Sequence, residues 1–330
     1  MSHHHHHPQL VSEVHPGVHR IRLPFHLELN HVNSYLIRLD DAGREWMLVD
    51  AGFGNEESWT ALDTAVKSLG LAWSNVRDVF ITHTHPDHWG LAPRVKSETG
   101  GAARVAMQSI EAANLRKLAE AVNRPSVLDK RLRSWGTPED QLQLITRQFL
   151  GMRQRFEALT PDREYDGGET IETSALGAVR AVFTPGHSPG HLCLYSPRER
   201  LLISGDHVLP KITPHVAWME ERDALADYRA SLDAVGDLAI DTILPGHGDP
   251  FGALAVRIVE IKRHHDTRCQ KIEEALESGA TSPHEIVAIL WPKALSPFNY
   301  RFAIYEVMAH LKFMHRAEGL TQPLEGAAWD

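Results

Sequence analysis

Residues 81–90 read ITHTHPDHWG. Four potential metal ligands, His83, His85, Asp87 and His88, fall within six positions of this stretch. A surface turn has no use for such crowding, and a core strand does not tolerate these groups unpaired. The stretch closes the run VRDVFI (76–81), whose apolar and β-branched content predicts a strand. If the chain stays extended through the first pair, His83 and His85 point to one side, because side chains alternate along a strand. Pro86 has no N–H and cannot continue a ladder, so the chain turns there. Asp87 and His88 are then offset and can reach a second ion. Imidazole with carboxylate suits zinc, iron or manganese.

Four other apolar runs end in the same way: LVDAG (48–52), VFTPGH (182–187), LISGDH (202–207) and ILPGHG (243–248). Each is followed by a turn that carries Asp or His. Ligands and catalytic groups collect on loops just beyond strand ends. If the five strands are neighbours, their ends gather His83, His85, Asp87, His88, His187, Asp206 and His247. The glycines of the PGH, SGD and PGHG turns permit tight bends that aim one ligand each.

The rest of the chain supplies a frame for this cluster. VHRIRLPF (18–25) and VNSYLIRL (32–39) read as strands, and WTALDTAVKSLG (59–70) has helical spacing with a stop at Gly70. Residues 107 to about 157 read as a helical insertion with nine Lys/Arg against six Asp/Glu. In it, Thr137-Pro138 with Asp140 is a helix start, and Leu142, Ile145, Phe149, Met152 and Phe156 form one apolar stripe. HLCLYSP and RERLLISGDH predict a hairpin. The last ~75 residues read as helices: about 254–278, a short one capped by Ser282, Pro283 and Glu285, and about 298–316. Strand-rich halves separated by helices predict an α/β layered body. The expected division is a tag-like or disordered start (1–14) holding the five-histidine run at 3–7, a main domain (15–253) and a helical C-terminal domain (254–330).

Composition excludes some functions. The 330 residues are 42% apolar and carry a net charge of -9, so the surface repels nucleic acid backbone. Cys193 and Cys269 form no CxxC pair, which fits a reducing compartment and removes cysteine-based zinc sites. No apolar run approaches the ~20 residues of a membrane span, and MSHHHHHPQL has no apolar signal region. The expectation is a cytoplasmic protein with neither membrane nor nucleic acid as partner.

Taken in order, VDAG (49–52), THTHPDH (82–88), TPGHSPGH (184–191), SGDH (204–207) and PGHG (245–248) resemble the motifs of the metallo-β-lactamase superfamily. HVNSYLI (31–37) resembles its opening strand, and the likeness spans roughly residues 15–250. It implies a four-layer αββα sandwich. Carried over motif by motif, His83, His85 and His187 would hold a first ion. Asp87, His88 and His247 would hold a second, with Asp206 bridging. Asp50 would orient a ligand imidazole through its N–H. His191 matches a recurrent family histidine that is not a ligand. The full HxHxDH set with the bridging aspartate resembles the glyoxalase II, acyl-thioesterase and lactonase branch. True β-lactamases of the family lack that carboxylate, so such activity is expected as a side activity at most. The C-terminal helices resemble the winged-helix-like appendage of some members and are candidates for a homodimer contact.

The implied chemistry is hydrolysis of a thioester, ester or lactone on two divalent ions, zinc first, with iron or manganese as alternatives. Two ions ~3.5–4 Å apart lower the pKa of a bridging water from 15.7 toward ~7, so hydroxide is available to attack an acyl carbon. Asp87 and Asp206 are the catalytic carboxylates of this reading. Trp89, His207 and Trp218 are candidates to line the substrate pocket. The basic insertion, through Arg147, Arg153 and Arg155, is a candidate to recognise an anionic, acyl-CoA-like substrate. The alternatives are a phosphodiester or other phosphoryl hydrolase on the same ions, and a metal-binding sensor with little turnover.

Overall fold

The computed structural model describes residues 10–25, 30–120, 126–153 and 159–320. Seven strands form a first sheet in sequence order: β1 (Val11–His15), β2 (Val18–Pro24), β3 (His31–Arg38), β4 (Trp46–Val49), β5 (Val76–Phe80), β6 (Arg104–Gln108) and β7 (Arg163–Tyr165). Pairing is antiparallel from β1 to β4 and parallel from β4 to β7. A second sheet has the order β12-β11-β10-β9-β8, built from β8 (Thr170–Thr173), β9 (Gly177–Phe183), β10 (Leu192–Ser196), β11 (Leu201–Gly205) and β12 (Thr242–Pro245). β10 and β11 are the expected hairpin. β12 runs parallel to β11.

The burial pattern explains the layering. β4 is buried at every position, so it has no solvent face. Its Trp46 and Leu48 join the core under α1 (Glu56–Ser68), with Trp59, Leu62 and Val66. Its Met47 and Val49 point the other way, onto Val179, Ala181, Leu194 and Ile203 of the second sheet. The far face of that sheet, with Tyr195, Leu202 and Ile243, lies under α7 (Ala224–Gly236) and α8 (Leu254–Glu277). Sequential layers of helix, sheet, sheet and helix follow, which is the αββα sandwich.

A fourth core is purely helical. Leu132 and Trp135 of the α5 (Ser126–Ser134) region and Leu142 and Ile145 of α6 (Glu139–Arg153) pack with α8, α9 (Pro283–Leu290) and α10 (Pro297–Phe313). The insertion is therefore tied to the C-terminal helices. Leu142 and Ile145 are buried as the apolar stripe requires, while the side chains of Phe149, Met152 and Phe156 lie outside the described residues. The Thr137 hydroxyl meets that of Tyr300 at 3.1 Å. Ser282 caps α9 by accepting the Glu285 N–H. Among the described residues after 253 there are helices and no strand, so no wing accompanies them. No described helix is long and apolar enough to cross a membrane.

One expectation fails at the start of the chain. Residues 1–9 lie outside the described residues, but Val11–His15 form a strand rather than a disordered lead. They pair with Val18–Ile21 across a tight turn, and Val11 packs against the first core. Pairing and burial together order a short segment that shows little periodicity alone.

The two sheets are tied at the end where the ligand loops emerge. The Asn33 N–H donates to the Gly246 carbonyl at 2.7 Å, and the Leu192 N–H to the Thr82 carbonyl at 2.9 Å. Inside this seam the fully buried Tyr35 hydroxyl donates to the Pro245 carbonyl at 2.7 Å. The Tyr35→Phe variant is expected to lose about 1 kcal/mol of stability. Urea unfolding should show a lower midpoint at unchanged slope.

Candidate metal centre

The histidine-rich loop takes its shape from a buried carboxylate. β4 ends at Val49, and Asp50 turns with φ of 56°, in the left-handed region. Its Oδ1 accepts the Thr82 N–H at 2.8 Å, and its Oδ2 accepts the Thr82 hydroxyl at 2.9 Å. Oδ2 also accepts Nδ1–H of His88 at 2.7 Å. These bonds fix the end of β5 and orient His88. Pro86 occupies the first turn of a one-turn helix, α2 (Pro86–Trp89), where its missing N–H costs nothing. The turn expected at Pro86 is thus helical, and it carries Asp87 and His88 inward.

All seven predicted ligands converge. His83 Nε2 lies 3.0 Å from His85 Nδ1 and 3.2 Å from His187 Nε2. His247 Nε2 lies 3.2 Å from Asp87 Oδ2, and His88 Nε2 lies 3.7 Å from the same atom. Asp206 Oδ2 stands between the groups, 3.7 Å from His187, 3.5 Å from His88 and 3.4 Å from His247. Two clusters can each hold an ion: His83, His85 and His187, and Asp87, His88 and His247. A third grouping, His83, His88 and Asp206, spans them.

The donor chemistry fits divalent ions. Ligands ~2.0–2.1 Å from a tetrahedral centre are about 3.3 Å from one another, close to the spacings found here. Outer partners direct the inner nitrogens. Nδ1–H of His187 donates to the His215 carbonyl and Nδ1–H of His247 to the His31 carbonyl, both at 2.7 Å. Like the Asp50–His88 bond, each leaves Nε2 as the inward lone pair. Buried His88 Nε2, His247 Nε2 and Asp206 Oδ1 have no hydrogen-bond partner. Unpartnered buried polar atoms on three candidate ligands are what a cation would satisfy.

Charge is divided between the clusters. Burial, then the neighbouring imidazoles, holds His83 well below its ordinary range. Burial and His187 bring His85 down to about 3. At His247 burial works downward, but Asp206 and Asp87 outweigh it and raise the imidazole to about 10. His88 is likewise raised by Asp206, Asp50 and Asp87 against burial. Burial would raise Asp206, yet His247 and His88 drive it well below the carboxylate range. Burial thus disfavours charge on the imidazoles of the first cluster, while the carboxylates favour it on those of the second.

Supporting residues complete the centre. His191 is fully buried; its Nδ1–H donates to the Thr184 hydroxyl at 2.8 Å, and its Nε2 accepts the Asp206 N–H at 3.2 Å. It holds Asp206 in place. Two glycines are required by space. A Cβ on Gly246 would stand 2.3 Å from Asp206 Oδ1, and one on Gly205 would stand 2.7 Å from His191 Nε2. Gly205 also has φ of 47°. The turn-forming role expected of Gly246 is instead one of clearance.

Glu111 has no counterpart in the sequence reading. This buried acid opens α4 (Ser109–Glu120) and accepts the Thr84 N–H at 3.1 Å, the Thr84 hydroxyl, and the Gly190 N–H at 2.7 Å. It clamps the His83–His85 loop to the His187–His191 loop. Its local sequence looks like any acid in a first helical turn. Phe25 was also unforeseen: its ring lies 6.2 Å from that of His247 and 5.7 Å from that of Phe53. These two rings form an apolar wall beside the second cluster.

Two of the three expected pocket residues are turned into the core. Trp89 is 3% exposed in the core shared with α1, since one step round α2 turns it about 100° from His88. His207 is fully buried against Tyr228, with ring centroids 5.4 Å apart; burial takes it down to about 3. Alternation along the chain sends it away from Asp206. Trp218 packs edge-on to Trp135 at 5.3 Å with the Arg131 guanidinium over its ring, among the helices.

Comparison with known proteins places this geometry. The family described as the Metallo-beta-lactamase superfamily matches residues 27–247. A probable metallo-hydrolase of Bacillus subtilis, YqjP, is 22% identical over 93% of this chain and 94% of its own length. An atrochrysone carboxyl ACP thioesterase of Passalora fulva is 26% identical over 89% of this chain and 74% of its own. The crystal structure of a beta-lactamase domain protein from Burkholderia ambifaria is 29% identical, with a TM-score of 0.81 over 93% of this chain and 89% of that one.

Two outcomes are expected. Asp50→Asn should weaken metal binding by roughly 10–100-fold, read by titration with a competing chelator, because it removes the charge that orients His88. Metal uptake near neutral pH should release protons. His247, raised to about 10, carries a proton below that pH and must give it up to bind. Affinity should therefore climb with pH through the neutral range, and calorimetry in buffers of different ionisation enthalpy will count the protons.

Proposed function

The chain belongs to the metallo-beta-lactamase superfamily and is a metal-dependent hydrolase with a dinuclear centre, and we propose that its substrate is an acyl compound, a thioester first. In this reading His83, His85 and His187 hold one ion and Asp87, His88 and His247 the other, with zinc the metal in both. The observation that carries it is the position of Asp206 Oδ2, within 3.4–3.7 Å of imidazoles from both clusters. One ionised carboxylate spanning two ion sites belongs with the thioesterase and lactonase type of centre.

Bound ions supply Lewis acidity and an activated water. The chain supplies the rest. Asp206 would be shared between the two ion sites, and His191 holds Asp206 through its backbone N–H. Asp87, whose carboxyl is held low by His88 and His247 against burial, would help hold the second ion and would orient a water bound there. Asp50 and the His31 and His215 carbonyls keep three imidazoles in the tautomer that binds. Phe25 and Phe53 exclude water on one side and offer an apolar surface to an acyl group rather than to a phosphate. The name of the Passalora fulva relative supports a thioester.

The insertion's charge carries less weight. Arg131 pairs with Glu220 at 3.0 Å and Arg133 with Glu139 at 2.9 Å, so these cations are already engaged. Arg147 is exposed, and the side chains of Arg153 and Arg155 lie outside the described residues.

The test is a panel of acyl thioesters, lactones, a chromogenic cephalosporin and a phosphodiester, assayed before and after chelation. Thioester hydrolysis should be fastest, vanish with chelator and return with zinc. Asp206→Ala should lower both rate and metal content, the rate by at least ~100-fold, as expected for loss of a ligand rather than an outer partner. A phosphodiester preferred over every acyl substrate would overturn the assignment.

A further inference from the structure

The segment between β11 and α7, residues 206–223, is long and has no regular secondary structure over most of its length. Loops of this size inside a compact fold are uncommon and are usually held for a reason. Here the holding groups come from the C-terminal helices. The buried Arg257 of α8 donates from Nε to the Leu209 carbonyl and from Nη2 to the Ile212 carbonyl, both at 2.7 Å. Lys312 of α10 donates from Nζ to the carbonyls of Met219 and Glu220 at 2.8 and 2.7 Å. Between these anchors His215 bonds in two directions. Its Nε2–H donates to the Phe302 carbonyl of α10 at 2.9 Å, and its ring stands edge-on to Phe302 at 4.7 Å. Its own carbonyl accepts Nδ1–H of His187 at 2.7 Å.

We propose that His215 is a positioning residue, a strut through which the C-terminal helices hold His187 in its ion-binding orientation. It rests on the reading that His83, His85 and His187 bind an ion. A carbonyl on an unanchored loop would not define the His187 ring, because the loop has no ladder of its own to fix it. The α10 carbonyl at one side of His215 and the His187 ring at the other make the path from the helical core to the first cluster two hydrogen bonds long. On this proposal the C-terminal helices are part of the metal centre, and the second cluster, whose outer partners are Asp50 and His31, does not depend on them.

The experiment uses the full chain and cobalt(II) as the probe. His215→Phe keeps the ring packing and the backbone carbonyl but loses the donor; His215→Gln returns an N–H. Parent and variants are titrated with cobalt(II), and stoichiometry, affinity and visible spectrum are recorded. The Phe variant should bind one of the two ions about tenfold more weakly, with an altered spectrum, and leave the other unchanged. The Gln variant should recover most of that loss. Parent-like affinity and spectrum in the Phe variant would overturn the strut, as would equal weakening of both ions. A parent protein that takes up no cobalt would overturn the metal reading and the strut with it. Should the Phe variant not fold, Lys312→Met, which frees the loop at Met219 and Glu220, must still weaken one ion selectively, and no selective change there counts against the strut.

Discussion

Asp50 is the point on which this structure turns. One buried carboxylate, at the end of the central strand β4, ties down Thr82 and His88 with three hydrogen bonds. It joins the end of one strand to the end of the next and to the short helix beyond. Its own backbone is in a strained, left-handed conformation, which persists only where the surroundings determine it. Here the Asp50 N–H is bonded to the Phe80 carbonyl and its side chain to three donors, so the strain is overdetermined. The orientation of His88, and so the shape of the second cluster, follows.

The same logic recurs at other candidate ligands. His187 and His247 donate outward to backbone carbonyls, His191 holds Asp206, and Glu111 spans two ligand loops. Burying this many imidazoles and carboxylates costs solvation. The outer bonds hold the ligand groups together, and the sandwich core behind them supplies the rigidity. The clearance at Gly205 and Gly246 shows how closely the loops approach: a single methyl at either place would strike a site atom.

Much of this was legible in the sequence for a specific reason. A ligand set spread over five strand ends leaves five local signatures, and each pairs an apolar run with Asp or His in a turn. The strands that carry VDAG, THTHPDH, TPGH, SGDH and PGHG are not all neighbours: β4 and β5 lie in one sheet and β9, β11 and β12 in the other, and the facing of the two sheets brings their ends together. Residues that act by contact left no such signature. Glu111 looks like an ordinary first-turn acid, and His215 like one more residue of a proline-containing loop. The pocket assignments for Trp89 and His207 failed because proximity in sequence to a ligand does not fix side-chain direction. One step along the chain turned Trp89 and His207 into the core. The N-terminal strand was missed because its order comes from pairing with β2.

By itself, then, the sequence determined the layered α/β class, the seven candidate ligands and their order, and the likeness to metal-dependent hydrolases. Periodicity and turn chemistry are local, and so is the identity of a ligand. Only the tertiary structure decided which groups stand behind the ligands. It joined the basic insertion to the C-terminal helices in one core, engaged Arg131 and Arg133 with acids, and set the loop of His215 against His187. These are relations between segments far apart in the chain. They depend on how the sandwich closes, and packing of that kind leaves no pattern in any one stretch of residues.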